Sequence, residues 1–234
     1  MGALVADGPR PGIEVKICGV NSAAALDATL EAGADLVGFV HFARSPRHLH
    51  LSDAAALSAQ VNGRALKVAL LVDPDDALLG DILEAVKPDI LQLHGRETAE
   101  RVAEIRARFG LPVMKALSIA RAADLDVVPA YAAVSDRLLF DAKPAPDDLL
   151  PGGNGRVFDW SVLDGLDPGR PIMLSGGLDP DNVAQAIARV RVDGVDVSSG
   201  VETAPGVKSA EKIFAFVRAA RAASLASRVE SQAK

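Results

Sequence analysis

A lysine and a cysteine stand two residues apart in Val15-Lys16-Ile17-Cys18-Gly19, and Cys18 is the only cysteine in the chain. The run is apolar until it meets a polar residue and a glycine, the pattern of a buried strand emptying into a loop. Side chains two apart on a strand share a face, so Lys16 and Cys18 point the same way. An ammonium beside a thiol favours the thiolate, the reactive form of cysteine. The stretch therefore offers a base or nucleophile at a strand end. A lone cysteine also serves as a small buried apolar side chain, and these five residues alone do not separate the two readings.

Elements able to position such groups run along nearly the whole chain. Apolar runs at 14–18, 35–40, 66–72, 89–93, 112–117, 137–140, 171–174 and 194–197 read as strands. Helical patterns fill the gaps. One starts at Ser22 and stops at Gly33; one starts at Ser52 and Asp53 after a polar loop at 44–51. Others run from Pro74 to about 87, over 97–108, from 180 to about 190 behind Asp179, and over 209–220. Asp159 caps a short helix at 160–163, and the signal after the fifth strand is weak and interrupted by Pro129. Strands alternating with helices predict a parallel sheet. This many units in one chain predict an α/β single-domain (β/α)8 TIM barrel of eight parallel strands, with a weak or irregular helix after strand 5. An open doubly wound sheet is the competing arrangement. The expected domains are a flexible arm at 1–12, the barrel at 13–221, and a C-terminal tail at 222–234 that is a frayed helix end or disordered.

Composition narrows the classes. Hydrophobic residues make up 49% and aromatics only 4%, so the core must be built from Ala, Val, Leu and Ile, the usual filling of parallel strands covered on both faces. The net charge of −6 speaks against broad nucleic-acid binding through phosphate neutralisation. One cysteine excludes an internal disulfide and a Cys-rich zinc site, and His41, His48 and His50 lack metal-ligand spacing, so no metal is expected. Residues 1–12 lack a signal-peptide pattern, and no apolar run nears the ~18 residues of a bilayer span. A cytoplasmic protein without membrane partners is expected.

In such a barrel the active site lies where strands end, and Cys18, His41, Asp73, His94 and Asp141 stand at or near strand ends. Glycine- and serine-rich turns at Gly152-Gly153-Asn154-Gly155, Ser175-Gly176-Gly177 and Ser198-Ser199-Gly200 fall in the last third. The latter two directly follow strands seven and eight, where barrels often hold a phosphate on loop amides. Each turn alone would read as a plain turn; together they predict a phosphate site.

Taken in order, further pieces join these: Lys16-Ile17-Cys18-Gly19, Gly33-Ala34-Asp35 through Gly38-Phe39, Ser45-Pro46-Arg47, Gln92-Leu93-His94-Gly95, Lys115-Ala116 and Leu139-Phe140-Asp141. The glycine turn at 152–155, Phe158-Asp159-Trp160, Leu174-Ser175-Gly176-Gly177-Leu178 and Asp196-Val197-Ser198-Ser199-Gly200-Val201-Glu202 complete the set. The ordered set resembles the phosphoribosylanthranilate isomerases of tryptophan biosynthesis over residues 15–216. Two positions depart from the family pattern. Asn154 stands where a small hydroxyl residue is expected. Asn21 stands where Thr is commoner, a change expected to matter little because both make local capping bonds.

The resemblance implies an Amadori rearrangement of N-(5-phosphoribosyl)anthranilate with no cofactor. An acid protonates the ribose ring oxygen and a base removes the C2′ proton. By the family pattern Asp141 is the acid and Cys18 the base. Cys18 must then be deprotonated, which Lys16 assists, and Asp141 must be held protonated by its apolar approach through Leu138, Leu139 and Phe140. Without the resemblance, Asp141 reads equally as a loop-starting or capping aspartate. Arg47 is the expected partner of the anthranilate carboxylate, presented on a loop stiffened by Pro46, while Arg44 reads as solvated. Lys16, Gln92, His94 and Asp196 complete the expected substrate site. His94 is given no proton-transfer role, and Asp196 lies near the anthranilate amine or is simply a buried aspartate on backbone amides. The expected phosphate residues are Gly153, Gly155, Gly176, Gly177, Ser199 and Gly200. Trp160 is expected to pack its short helix on the barrel.

Three other functions compete. A histidine-pathway isomerase on the same scaffold would carry an aspartate at position 18. An indole-forming lyase would need more than Lys115. A non-catalytic phosphate-ligand-binding barrel would need the turns but neither Cys18 nor Asp141. The expected partner is a small sugar phosphate, and a monomer is favoured over a homodimer.

Overall fold

The computed structural model describes residues 12–145, 150, 152, 153, 155 and 157–232, with side chains to residue 226. The expected arm at 1–12, but for Gly12, and Asn154 lie outside the described residues. Eight parallel strands form a closed barrel in chain order: β1 (Glu14–Cys18), β2 (Leu36–His41), β3 (Leu66–Leu71), β4 (Ile90–Leu93), β5 (Val113–Ile119), β6 (Arg137–Ala142), β7 (Ile172–Leu174) and β8 (Gly194–Val197). Strand β8 pairs back onto β1, with Lys16 opposite Asp196, so the open doubly wound sheet is excluded. Outside lie α1 (Ala23–Glu31), α2 (Leu51–Val61), α3 (Asp76–Val86), α4 (Ala99–Phe109), α5 (Val128–Val134), α6 (Val183–Arg189) and α7 (Ala210–Gln232).

The period of two along each strand sorts the side chains. Val15 and Ile17 turn outward and join the large apolar layer beneath the helices, with Phe39, Leu71, Leu93 and Phe140. Lys16 and Cys18 turn inward, and the register carries the same face round the barrel through Leu36, Gly38, Val68, Ile90, Gln92, Met114, Leu139 and Met173. Leu36, Val68, Ile90, Met114, Ala116, Leu139 and Met173 pack together as an apolar plug. Above the plug, polar side chains such as Lys16, Gln92 and Asp196 share the interior with the apolar Val40 and Leu70, which brings the functional groups to the mouth.

Strands are joined two by two at the opposite, N-terminal rim. Asp35, just ahead of β2, accepts the Val15 N–H of β1 at 2.8 Å. Asp89 accepts the Lys67 N–H at 2.7 Å, Asp136 that of Val113 at 2.9 Å, and Asp193 that of Ile172 at 2.8 Å. Each aspartate returns its own N–H to the carbonyl of the same residue, at 2.8–2.9 Å. A carboxylate on an amide at a strand start satisfies a donor the barrel ladder leaves unpaired. The clasps join β1 to β2, β3 to β4, β5 to β6, and β7 to β8.

Several sequence expectations shift. Pro74 precedes the cap rather than opening α3; Asp75 caps it by accepting the Leu78 N–H at 2.8 Å. Helix α2 starts at Leu51, not at Ser52, behind His50 in an extended conformation. Glu97 lies outside α4, which Thr98 caps, because its carboxylate is drawn to Lys115. Pro129 opens α5 instead of interrupting a helix, since a first helical turn needs no N–H from it. A 3-10 turn over Ala122–Val127 precedes α5 and makes this segment the irregular one. Strand β5 reaches Ile119 and β6 reaches Ala142, because their ends pair with each other. Helix α6 begins at Val183, with Asp179 taking up the amides of Asp181 and Asn182 ahead of it. Asp159 caps the short 3-10 helix Trp160–Leu163, and Trp160 packs into the outer core. The last helix runs to Gln232, beyond residues 220 and 221, where the sequence pattern ended the helix and the barrel. Its extension is tied down: Arg221 bonds Gly33 O at 3.1 Å and Asp35 at 2.6 Å, and the buried Ser224 accepts the Ile13 N–H at 3.1 Å. Between β8 and α7 the chain forms a short antiparallel hairpin not expected from sequence, β9 (Glu202–Ala204) and β10 (Val207–Lys208).

Candidate active site

Cys18 ends β1 and Asp141 stands near the end of β6, and both face one pocket at the C-terminal mouth. Counted to its open rim, the pocket spans about 640 Å³. Val40, Phe42, Leu70 and Val72 form an apolar wall beside Cys18, and Arg47, His94, Asp196, Ser175 and Ser199 also reach it. Of the expected residues, Gly153, Gly176 and Gly177 line it as well. Lys16 and Gln92, both fully buried, stand below this lining.

Lys16 does not serve Cys18 alone. Its Nζ donates to Asp196 Oδ1 at 2.8 Å, and Asp196 Oδ2 accepts the Ser175 hydroxyl at 3.0 Å. Asp196 is thus held by an ammonium and a hydroxyl rather than by backbone amides. Burial would push the Lys16 ammonium down, but Asp196 and Cys18 outweigh it and hold its pKa above the ordinary lysine value. For the Cys18 thiol, burial dominates and raises its pKa. Lys16 and Lys208 pull it back down while Asp196 opposes them. Lys16 favours the thiolate in the expected direction, but burial outweighs it and Asp196 offsets part of its effect. Gly38 faces the sulfur across the β1–β2 pair: a Cβ built there would lie 3.0 Å from Sγ.

Asp141 is 3% exposed. Its Oδ1 accepts the Ala142 N–H at 2.8 Å, and its Oδ2 lies 3.2 Å from His94 Nε2. Gln92 reaches the other ring nitrogen of His94, Nε2 to Nδ1, at 3.0 Å. Gln92 and His94 share the inward face of β4 and its extension, as expected. The backbone on both sides of His94 is gripped by Lys115, which donates to Leu93 O at 3.2 Å and Gly95 O at 2.9 Å and pairs with Glu97 at 2.7 Å. Lys115 was legible as part of a motif but not as a clamp. His41 is buried at the end of β2, away from the pocket lining; burial and the neighbouring His48 push its pKa down to about 4, so it is neutral near pH 7.

Arg47 lies on the loop after β2, which folds back so that His48 bridges to Val40. Pro46 presents it as expected, but its guanidinium is already engaged. Nε and Nη2 bond Glu202 Oε1 and Oε2 at 2.8 and 2.9 Å. Gly19 makes room for the stem: its φ is +74°, and a Cβ there would lie 2.5 Å from Arg47 Cδ. Glu202 also accepts Lys208 Nζ at 2.8 Å and the Gly206 N–H at 3.2 Å. Burial raises the Glu202 carboxyl, yet Arg47 and Lys208 overcome it and hold it below the usual range. Asn21 reaches the same hairpin, donating to Gly206 O at 3.0 Å, a long-range bond rather than the local cap expected. Glu202 was missed as a site residue because nothing local marks a pairing across 155 residues with Arg47, and Lys208 because it joins the site only through Glu202 and Ser198.

The turns after β7 and β8 meet at the rim. Gly176 and Gly177 have φ of +89° and +63°. Among the described residues, the N–H groups of Gly176, Gly177, Ser199 and Gly200 have no main-chain acceptor. Gly200 is also tightly packed, since a Cβ there would run into the Leu178 carbonyl, while its own N–H remains available to an anion. Gly152, Gly153 and Gly155, after β6, lie over the site. A Cβ on Gly152 would collide with Asp141 and His94, one on Gly153 would sit 3.0 Å from Arg47 Nη1, and one on Gly155 3.7 Å from Ser199 Oγ. Gly152 was not singled out among the site residues, although it lies over the acid.

Comparisons with known proteins agree with one another. The family described as N-(5'phosphoribosyl)anthranilate (PRA) isomerase matches residues 15–219. The N-(5'-phosphoribosyl)anthranilate isomerase of Azorhizobium caulinodans is 72% identical over 216 residues, 92% of this chain and 95% of that one. A structure of monomers of the dimeric phosphoribosylanthranilate isomerase from Thermotoga maritima superposes with a TM-score of 0.78 at 33% identity, covering 90% of this chain and 99% of that one. A phosphoribosyl anthranilate isomerase in complex with reduced 1-(o-carboxyphenylamino)-1-deoxyribulose 5-phosphate gives 0.79 at 33% identity, with the same coverage.

Proposed function

The chain belongs to the N-(5'-phosphoribosyl)anthranilate isomerase family, and on that premise we propose how its own side chains carry out the reaction. The enzyme converts N-(5-phosphoribosyl)anthranilate to 1-(o-carboxyphenylamino)-1-deoxyribulose 5-phosphate, an Amadori rearrangement in tryptophan biosynthesis. An aminoaldose becomes an aminoketose. The observation that carries the assignment of roles is that Cys18 and Asp141, on strands β1 and β6, face one pocket whose rim bears the glycine turns after β7 and β8.

Asp141 gives its proton to the ribose ring oxygen. The C1′–O bond breaks, the ring oxygen becomes a hydroxyl, and the anthranilate nitrogen takes up the positive charge as an iminium. Cys18 then removes the C2′ proton as a thiolate, and the electron pair flows to nitrogen to give the enolamine. Tautomerisation gives the ketone and returns the protons. A thiolate formed against a raised pKa is a strong base, and the iminium beside it acidifies C2′ and stabilises the ion pair. The Ala142 amide fixes one oxygen of Asp141, and the His94 ring stands 3.2 Å from the other without a formed hydrogen bond, so His94 is assigned an orienting role rather than proton transfer.

Arg47 receives the anthranilate carboxylate, and Asp196 stands near the anthranilate amine. The amides of Gly176, Gly177 and Ser199, with Gly153 and Gly155 above them, receive the phosphate. The chemistry assigned to these groups calls for no residue from a second copy, and a monomer is proposed over a homodimer as the working assembly. Among the described residues no helix is long and apolar enough to cross a membrane; a cytoplasmic location is proposed from the biosynthetic role.

The test follows the fluorescence of phosphoribosylanthranilate generated in situ. Wild type is expected to consume it rapidly. Cys18→Ser and Asp141→Asn, both folded by circular dichroism, are expected to lose at least about a hundredfold in kcat, in keeping with removal of a proton-transfer group. Activity surviving Cys18→Ser would move the base elsewhere.

A further inference from the structure

The guanidinium of Arg47 presents two usable edges, and the structure fills one of them from inside the protein. Glu202 holds the Nε–Nη2 edge with both carboxylate oxygens, at 2.8 and 2.9 Å, and both side chains are buried. The opposite end carries Nη1, which donates to nothing among the described residues, while Nη2 touches Gly153 O only at 3.4 Å. That end faces the pocket beneath Gly153. The Glu202 carboxylate is itself fixed, by Lys208 Nζ at 2.8 Å and the Gly206 N–H at 3.2 Å. Lys208 is anchored in turn on Ser198 O at 2.9 Å. Arg47 is therefore aimed by a carboxylate that cannot swing.

Charge counting points the same way. Arg47 and Lys208 share the Glu202 carboxylate, and Lys208, whose pKa burial lowers, also faces Cys18, so Glu202 alone does not fully neutralise the Arg47 guanidinium. A buried cluster with an excess cation is costly unless a further anion completes it. A substrate carboxylate on the free end of Arg47 completes it with charge-assisted hydrogen bonds in a planar fork.

We propose that Glu202 is the positioning residue for carboxylate recognition: it clamps one edge of Arg47 so that the other is presented, already oriented, to the ortho-carboxylate of the substrate. The inference rests on the reading that Arg47 takes that carboxylate. Specificity for anthranilate over aniline-type glycosylamines then depends on a residue that never touches the ligand.

The test compares two ligands by competition binding: the reduced product 1-(o-carboxyphenylamino)-1-deoxyribulose 5-phosphate analogue, and the same compound with phenyl in place of carboxyphenyl. Glu202→Gln replaces one acceptor oxygen with an amide that opposes the guanidinium. It is expected to weaken the carboxylate-bearing ligand about tenfold or more and the carboxylate-free ligand by less than about threefold, as for loss of an oriented charge pair. Glu202→Asp, which draws the clamp back by one methylene, is expected to act in the same direction and serves if the glutamine variant does not fold. Arg47→Ala is expected to abolish the preference between the two ligands, and adding Glu202→Gln to it is expected to change nothing more. Equal weakening of both ligands in the Glu202 variants, or none, overturns the positioning role while leaving Arg47 in place. A preference that survives Arg47→Ala overturns the reading of Arg47 and the inference with it.

Discussion

Cys18 sits between opposed influences whose sum can be read chemically. Burial raises the thiol, Lys16 and Lys208 favour the thiolate, and Asp196 cancels part of the help from Lys16. The sign is unambiguous: a pKa above the ordinary cysteine value leaves the thiolate a minority near pH 7, growing about tenfold per pH unit below that pKa. Alkylation of the single cysteine by iodoacetamide, followed by mass spectrometry, is therefore expected to be slow at pH 7 and to climb steadily through pH 9. Asp196→Asn is expected to shift that profile to lower pH, because Lys16 then acts on the thiol uncompensated. A rate already at its plateau at pH 7 would contradict the raised thiol. Residues at this scale were legible when they terminated an apolar run, as Cys18 and Asp141 do. Glu202 and Lys208 were not, although Glu202 closes a motif quoted from the sequence. Their meaning lies in a partner that only the folded chain brings near.

The strands were legible because each is a short apolar run and the barrel buries both of its faces. Elements that lack this signature were not. The hairpin of β9 and β10 is largely exposed and has three and two residues in its strands, so nothing in its hydrophobic pattern announces it. Helix α5 was misread through Pro129, whose meaning reverses between a helix interior and a first turn. The aspartate clasps were also present in the sequence, one ahead of every second strand, but their surroundings differ enough to hide the repeat. Their worth can be measured. Asp89→Ala removes the acceptor from the Lys67 N–H, bonded at 2.7 Å. Loss of a partly buried, charge-assisted acceptor is expected to cost about 1–3 kcal/mol in urea unfolding, with activity per folded molecule unchanged because the mouth lies at the other rim. The exposed Asp81, changed to Ala, is the control and is expected to stay within about 0.5 kcal/mol of wild type.

For the whole molecule, closure depends on contacts between the chain's two ends: β8 pairs with β1, Lys16 meets Asp196 across that seam, and α7 reaches Ile13 and Asp35 through Ser224 and Arg221. Main-chain bonds such as Leu66 N–H to Asp35 O at 2.8 Å and Glu14 N–H to Asp193 O at 2.9 Å link one strand pair to the next, while among the described residues the carboxylate clasps at the lower rim fall within the pairs. The barrel is in that sense divisible, with natural break points after every second strand. A cut between Gly110 and Leu111 leaves two clasps intact in each piece, whereas a cut between Lys87 and Pro88 parts Lys67 from Asp89. Coexpressed fragments from the first cut are expected to reassemble into an active isomerase, and those from the second to recover at least about tenfold less activity, the equivalent of ~1.4 kcal/mol of lost association. Equal recovery from both cuts would mean the clasps only decorate the rim. Unequal recovery would make each two-strand segment a unit of inheritance, able to be duplicated, exchanged or re-ordered without redesigning its neighbours.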